Sequence, residues 1–286
     1  MNKLFSLLKN FNELVMFQHS VFSLPFIFIA MIVAADGWFG WFLLFMGALA
    51  AITARNFAMG LNRYADRDID AKNPRTASRP SVDGRISAKS VLAFTLVNAL
   101  GFVVIAYFIN SLAFYLSVPI LCVLGSYSYF KRFSALAHII LGLSLGLAPI
   151  AGVVAVQASI PLWSIFLSAG VLFWVAGFDL LYSLQDIEFD KDEGLHSIPS
   201  RFGSKNTFKI AQLFHILTIV FWYFFIAEAG LGVYAYAALV FSAHMLAYEH
   251  YLVNKDFTKI DRAFFTINGY LGIIFIVLII LDKVFS

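Results

Sequence analysis

The sequence predicts an all-α protein, a polytopic transmembrane bundle of nine helices around a central chamber facing the cytoplasm. Three observations lead there. The 286 residues are 61% hydrophobic and only 13% charged, about half the charged share of a soluble domain. The apolar residues fall in runs of about 20, the length an α-helix needs to cross the hydrocarbon of a bilayer. Finally, Lys and Arg crowd into every second connector between those runs. A soluble globular enzyme is excluded, and the net charge of +3 gives no reason to expect a nucleic-acid partner.

Taken in order, the spans are expected at roughly 15–35, 39–61, 88–109, 112–130, 135–156, 161–182, 207–227, 231–252 and 264–283. Before them, Lys3, Lys9 and Glu13 punctuate a mildly amphipathic start with no cleavage pattern of a signal peptide. The connectors after the first, third, fifth and seventh spans contain Asp36-Gly37, Asn110-Ser111, Gln157-Ala158-Ser159 and Glu228-Ala229-Gly230, without Lys or Arg. The other connectors hold Arg63 to Lys89, then Lys131 and Arg132, then Lys191, Arg201, Lys205 and Lys209, then Lys255, Lys259 and Arg262. The positive-inside rule puts these, and the N-terminus, on the cytoplasmic side of the inner membrane. Only Arg55 and Lys283 fall outside the scheme. Cys122 lies alone in an apolar run and is expected to be a small packing residue. Residues 1–286 read as one integral-membrane domain.

Two acid rows end the second and sixth spans. Asn62, Asp66 and Asp70 are spaced i, i+4 and i+8, so a continuous helix projects them from one face. Asp179, Asp186 and Asp190 fall at i, i+7 and i+11, within about 40° of one another. Four spans do not invert a chain, so the rows suggest parallel repeats about an axis along the membrane normal, which would make the rows face each other. An isolated Asp-x-x-x-Asp is a weak signal; two matched rows, each followed by a basic connector, are a stronger one. Converging carboxylates repel and need a cation or partner. Hard oxygen donors suit Mg²⁺ together with substrate phosphates, and no Cys/His cluster offers a zinc or iron site. Arg75, Arg79, Lys131, Arg132 and Arg201 could take the outer phosphate oxygens. Asp68, Glu188, Asp192 and Glu193 lie off the faces and read as solvated charges or partners of Arg67 and Lys191. The residues therefore describe a cavity for a diphosphate with an apolar tail. A cation- or proton-coupled transporter is the rival from another class, disfavoured because the acids gather on one side.

These residues carry a resemblance. Asn62-x-x-x-Asp66-x-x-x-Asp70 followed by Arg75-Thr76-x-x-Arg79-Pro80 resembles the first signature of the UbiA family of intramembrane aromatic prenyltransferases, and Asp179 to Asp190 its second. Tyr127-Ser-Tyr-Phe-Lys131-Arg132 is similar to the family's Tyr-Pro-x-x-Lys-Arg element, with Ser128 in place of Pro. Gly142 to Gly152 resembles its fifth span. The wording Asn73-Pro74-Arg75-Thr76 looks most like the quinone-biosynthesis branch, which acts on 4-hydroxybenzoate or menaquinone precursors. Haem, chlorophyll or lipid acceptors are the alternatives within the family.

The resemblance implies transfer of a polyprenyl group from polyprenyl diphosphate to an aromatic acid within the lipid bilayer. It implies that Asn62, Asp66, Asp70, Asp179, Asp186 and Asp190 hold Mg²⁺ and the diphosphate, with Asp66, Asp70, Asp186 and Asp190 central to catalysis. Arg75, Lys131 and Arg132 are expected to touch phosphate, and Arg201 more weakly. Arg55, inside a span, is expected to bind the acceptor carboxylate or to pair with an Asp. Tyr127 and Tyr182 are expected in the chamber. His19, at the start of the first span, reads as interfacial rather than as an acceptor contact. His138, His215, His244 and His250 read as packing or interfacial residues.

Overall fold

The computed structural model describes residues 3–16 and 24–285, and among these it contains helices, turns and loops but no strand. An amphipathic helix, α1 (Lys3–Val15), precedes α2 (Leu24–Ala34) and α3 (Trp41–Ala65), to which a single turn, α4 (Arg67–Asp70), is joined. Then follow α5 (Ala88–Ile109), α6 (Ser111–Phe130), α7 (Ala137–Gln157), α8 (Leu162–Ser183) and the short α9 (Ile187–Asp192). The chain closes with α10 (Ile198–Glu228), α11 (Val233–Lys255), one turn α12 (Ile260–Arg262) and α13 (Asn268–Phe285). Seven of the described helices are long and apolar enough to cross a membrane, so the chain is an integral membrane protein. The first expected span runs partly over residues 17–23, outside the described residues; its remainder is the 11-residue α2. His19 also lies outside them.

The helix ends follow from local chemistry. Ser87 caps α5 through the Ser90 N–H, and Asn110 caps α6 through the Ala113 N–H, each satisfying an orphan donor of a first turn. Asn110 also donates to the Val154 carbonyl near the end of α7. Ser197 and Ser200 form a reciprocal capping box at the start of α10. Gly203, at φ +75°, interrupts α10 five residues later, a conformation glycine adopts without strain. At the other end of the bundle, Asp282 of α13 accepts from the Gly232, Tyr234 and Ala235 N–H groups and so caps α11. Lys283 pairs with Asp36 at 2.8 Å at that same end.

Helices adjacent in the chain pack on one another from α5 to α8, α10 lies on α8 and α11, and α2 lies against α7 and α13. One large core joins α2, α8, α10, α11 and α13 around Phe26, Trp174, Trp222, Phe225 and Phe275. The seam between α7 and α8 is made by glycines. A Cβ on Gly142 would collide with the Leu172 carbonyl oxygen, and one on Gly146 would come within 2.9 Å of the Ser168 carbonyl. Small residues of this kind let two membrane helices approach closely. Cys122 is exposed on α6: it faces outward instead of packing, because α6 buries a narrow stripe through Ser117, Leu124, Gly125 and Ser128.

Candidate functional site

Both acid rows sit on helices that break at an acid. The α3 helix ends at Ala65, and Asp66 takes φ −94°, ψ 6° before α4 resumes. Asp66 N–H still reaches the Asn62 carbonyl and Asp70 N–H the Asp66 carbonyl, so the expected face is kept across the break. The second row is split likewise. Asp179 lies in α8, a 3₁₀ turn covers Leu184–Asp186, Asp186 takes φ −103°, ψ 6°, and Asp190 follows on α9. The corresponding acid of each row thus adopts the same sparsely populated bridge conformation.

The two rows line one polar cavity of about 260 Å³. Asn62, Asp66, Asp70, Asp179, Asp186 and Asp190 all reach its wall, as do Arg75, Arg79, Tyr127, Lys131 and Tyr182. Within it the acids are held by cations. Lys131 Nζ lies 2.7 Å from Asp66 Oδ2, and Asn62 Nδ2 donates to the same oxygen at 2.7 Å. Arg79 Nη1 reaches both oxygens of Asp70 at 2.7 Å. Arg75, from the connector after the first row, makes a two-point contact with Asp186 of the second, at 3.1 and 2.6 Å. The same guanidinium donates to the Tyr182 hydroxyl and stacks 5.5 Å from its ring centre. Asn73 Nδ2 also donates to Asp186. Lys72 pairs with Glu193 across the same two connectors.

Three expected residues stand differently from the sequence reading. Arg132 makes a two-point contact with Asp68 and donates to the Ala65 carbonyl, while its Nη2 stays 4.0 Å from Asp66 Oδ1. Asp68 is therefore the partner of Arg132 and not of Arg67, and that contact holds its carboxyl below the ordinary range. Arg201 is exposed over the Phe202 ring, away from the polar cavity. Arg55 pairs with no acid among the described residues; it donates to the Val15 and Met16 carbonyls, while its Nε is buried without a partner.

Sequence reasoning missed Arg63, counted only as a loop cation. It is 4% exposed, donates Nε–H to the Leu14 carbonyl and Nη1–H to Asn62 Oδ1. Arg55 and Arg63 together hold the carbonyls at the end of α1, so α1 is anchored by α3 beside the site. It also missed His138, whose Nδ1 lies 2.7 Å from Asp179 Oδ2.

Above the polar cavity lies an apolar one of about 200 Å³, enclosed by α2, α3, α5, α6 and α7. Its wall is small on α3 (Ala50, Ala51, Ala54, Ala58) and on α7 (Ala148, Ala151, Ala155), with Arg55 the charged member. Tyr127 and Leu141 belong to both cavities, so the two are neighbours sharing a wall. The arrangement suits an amphipathic molecule with an anionic head and an apolar tail.

Hard oxygen donors of the two rows fit a hard divalent cation, and Asp66 supplies one directly: its Oδ1 is buried and has no hydrogen-bond partner among the described residues, Arg132 Nη2 lying 4.0 Å away. Burial pushes the Asp66 carboxyl above its ordinary range, outweighing the pull of Lys131. As the side chains stand, no three His, Cys, Asp or Glu among the described residues converge closely enough to hold a metal. The basic partners occupy that space, so a cation would take the place of one or more of them.

Comparison with known proteins bears on the family and the fold. The model of the UbiA prenyltransferase family matches residues 23–279. A 4-hydroxybenzoate octaprenyltransferase of Janthinobacterium sp. (strain Marseille) is 30% identical over 247 residues, which cover 85% of each chain. The apo structure of a UbiA homolog from Aeropyrum pernix K1 superposes with a TM-score of 0.84 at 29% identity, covering 92% of this chain and 98% of that one. A UbiA homolog from Archaeoglobus fulgidus, solved with DMAPP and Mg²⁺, shares the fold at a TM-score of 0.77 and 20% identity, covering 97% of this chain and 100% of that one.

Proposed function

The chain belongs to the UbiA prenyltransferase family and is a polyprenyltransferase, and on that premise we propose that it moves a polyprenyl group from its diphosphate to an aromatic acid of the 4-hydroxybenzoate or menaquinone-precursor class, in respiratory quinone biosynthesis. One observation carries the reading: an acid- and base-lined cavity shares Tyr127 and Leu141 with an apolar one. A diphosphate with a hydrocarbon tail fits both at once. The reaction belongs on the basic side of the bundle, read as the cytoplasmic side of the inner membrane, with nine helices spanning the bilayer.

Asn62, Asp66, Asp70, Asp186 and Asp190 would hold Mg²⁺, which when bound neutralises charge on the diphosphate leaving group. The chain's own side chains supply the rest. Once drawn from their acids, Lys131, Arg79 and Arg75 donate to phosphate oxygens, Arg in two-point fashion. These preorganised donors stabilise the charge that grows as the allylic C–O bond breaks. Arg55, the charged group of the apolar cavity, would receive the acceptor carboxylate, holding the ring beside the allylic carbon. Tyr127 shapes the junction and Tyr182 the polar side, and the apolar wall keeps water from the electron-poor carbon. Asp179 is left to His138.

The test is purified protein with Mg²⁺, a labelled polyprenyl diphosphate and a panel of acceptors. Diphosphate release and a prenylated product are expected only with an aromatic acid. Release that is indifferent to the acceptor, or a product formed only with a glycerol phosphate, defeats the assignment.

A further inference from the structure

The His138–Asp179 pair has a free end. His138 is the second residue of α7 and Asp179 lies in α8, so the pair bridges the glycine seam. An ionised carboxylate only accepts, hence Nδ1 donates to it at 2.7 Å. In the neutral ring Nε2 is then an acceptor. That atom is buried and has no partner among the described residues, the residue is 6% exposed, and it lines the polar cavity, as do Tyr127 and Leu141. A buried acceptor left unmet is costly, and a buried N–H⁺ left unmet costs more. Among the described residues His215 Nε2 and His250 Nδ1 are bare as well, but of these three histidines His138 alone lines the polar cavity.

We propose, resting on the reading above, that His138 Nε2 accepts a hydrogen bond from a ring hydroxyl of the acceptor, so that the enzyme selects phenols. Asp179 is a positioning residue acting through His138: it fixes the tautomer and the plane of the ring. When the aromatic ring attacks the allylic carbon, positive charge spreads by conjugation onto the hydroxyl oxygen. Its O–H then becomes a stronger donor, and the bond to Nε2 tightens in the transition state more than in the bound ground state. Only such differential interaction raises turnover. The hydrogen bond itself transfers no proton and forms no covalent bond.

The experiment compares 4-hydroxybenzoate with 4-methoxybenzoate, whose ring is similarly activated but whose oxygen has no proton to donate. With Mg²⁺ and a polyprenyl diphosphate, kcat/KM is measured for both in the wild type, His138→Leu, His138→Gln and Asp179→Asn, and diphosphate affinity is measured separately. The wild type should favour the hydroxyl about 100-fold or more, as expected of a site built around that hydrogen bond. His138→Leu should bring the ratio close to one, with diphosphate affinity unchanged. His138→Gln, which keeps a carbonyl acceptor, should restore part of the preference, and Asp179→Asn should lower kcat for the hydroxyl substrate without moving the KM for diphosphate. A preference retained in His138→Leu overturns the proposal. So does a variant that loses diphosphate affinity with its acceptor ratio intact. A wild type that prenylates neither benzoate, but does prenylate an acceptor without a ring, overturns the underlying assignment as well.

Discussion

The bundle has a hollow side and a solid side, built from helices of similar apolar character. Around the apolar cavity, α3 and α7 turn alanines inward. Around the core, α8, α10 and α13 turn Trp174, Trp222, Phe225 and Phe275 inward. In the apolar stretches 61% of residues are buried in α8, 39% in the α13 span and 33% in α10, against 44% in α7, 17% in α5 and 6% in α3, so within the hollow side it is α3 and α5 that are thinly covered. Hydrophobicity placed both sides in the membrane; side-chain volume at the inward positions decided which one would contain space. The solid side also holds a buried polar network, in which Trp174 donates to Asn268 and Asn268 to Glu249, and His250 contacts His215. Such bonds hold membrane helices together where no hydrophobic force acts between them.

The contrast can be broken most sharply where the two sides meet, since each contributes one acid row. Asp66→Ala, from the hollow side, and Asp186→Ala, from the solid side, should each lower turnover about 1,000-fold or more, the scale of losing a preorganised charge contact. Both should keep the wild-type melting profile in detergent. Asp68→Ala, paired outside the cavity with Arg132, should stay within about twofold, because exposed ion pairs contribute little. Full activity in Asp186→Ala would reduce the solid side to a mere support.

Next in size is Trp222→Ala. Its side chain is fully buried among Phe26, Trp174 and Phe275, and truncation should cost about 3–5 kcal/mol of stability. Thermal denaturation reads the loss, while turnover per folded molecule should hold. Ala54→Leu probes the hollow side in the opposite sense. It should leave the melting temperature unchanged or raise it, while kcat/KM for a long-chain diphosphate falls about 10-fold, the scale of a few misplaced methylenes. If the stability loss appeared here and not at Trp222, the contrast would be wrong.

The smallest effect belongs to the surface. Arg85 binds Glu13 of α1 through both carboxylate oxygens, holding its carboxyl below the ordinary range. A depressed acid contributes stability above its unfolded pKa and loses it as pH falls through the folded one. Glu13→Gln should therefore melt slightly below the wild type at neutral pH, by no more than the about 0–1 kcal/mol of an exposed pair. The two melting curves should converge in acid.

Much of this site was legible in the sequence because a helix has a fixed period. The spacing of Asn62, Asp66 and Asp70, and of Asp179, Asp186 and Asp190, was enough to bring six side chains to one cavity. The breaks at Asp66 and Asp186 were not legible, since neither stretch contains the Gly or Pro that announces one. Nor were the ion pairs. Whether Arg79 folds back on Asp70 or Arg75 crosses to Asp186 depends on the path of a connector with no periodicity to read. His138 had a signal that went unused. It precedes Gly142 and Gly146 at i+4 and i+8, placing it on the stripe by which α7 meets α8, where Asp179 waits. Arg63 was misjudged because a basic residue near a helix end looks solvated until something is seen packed over it, as α1 is.

The glycine seam also determines how the protein can breathe. With the α7 backbone pressed against the carbonyls of Ser168 and Leu172, that wall has no slack in which to retreat. If the proposed prenyl tail lies in the apolar cavity, a bulkier one would have to displace α5 and α6, which no such seam fixes to α8. On that reading, tolerance for tail length would belong to the membrane-facing curtain, and a stiffer bilayer would narrow it without any change of sequence.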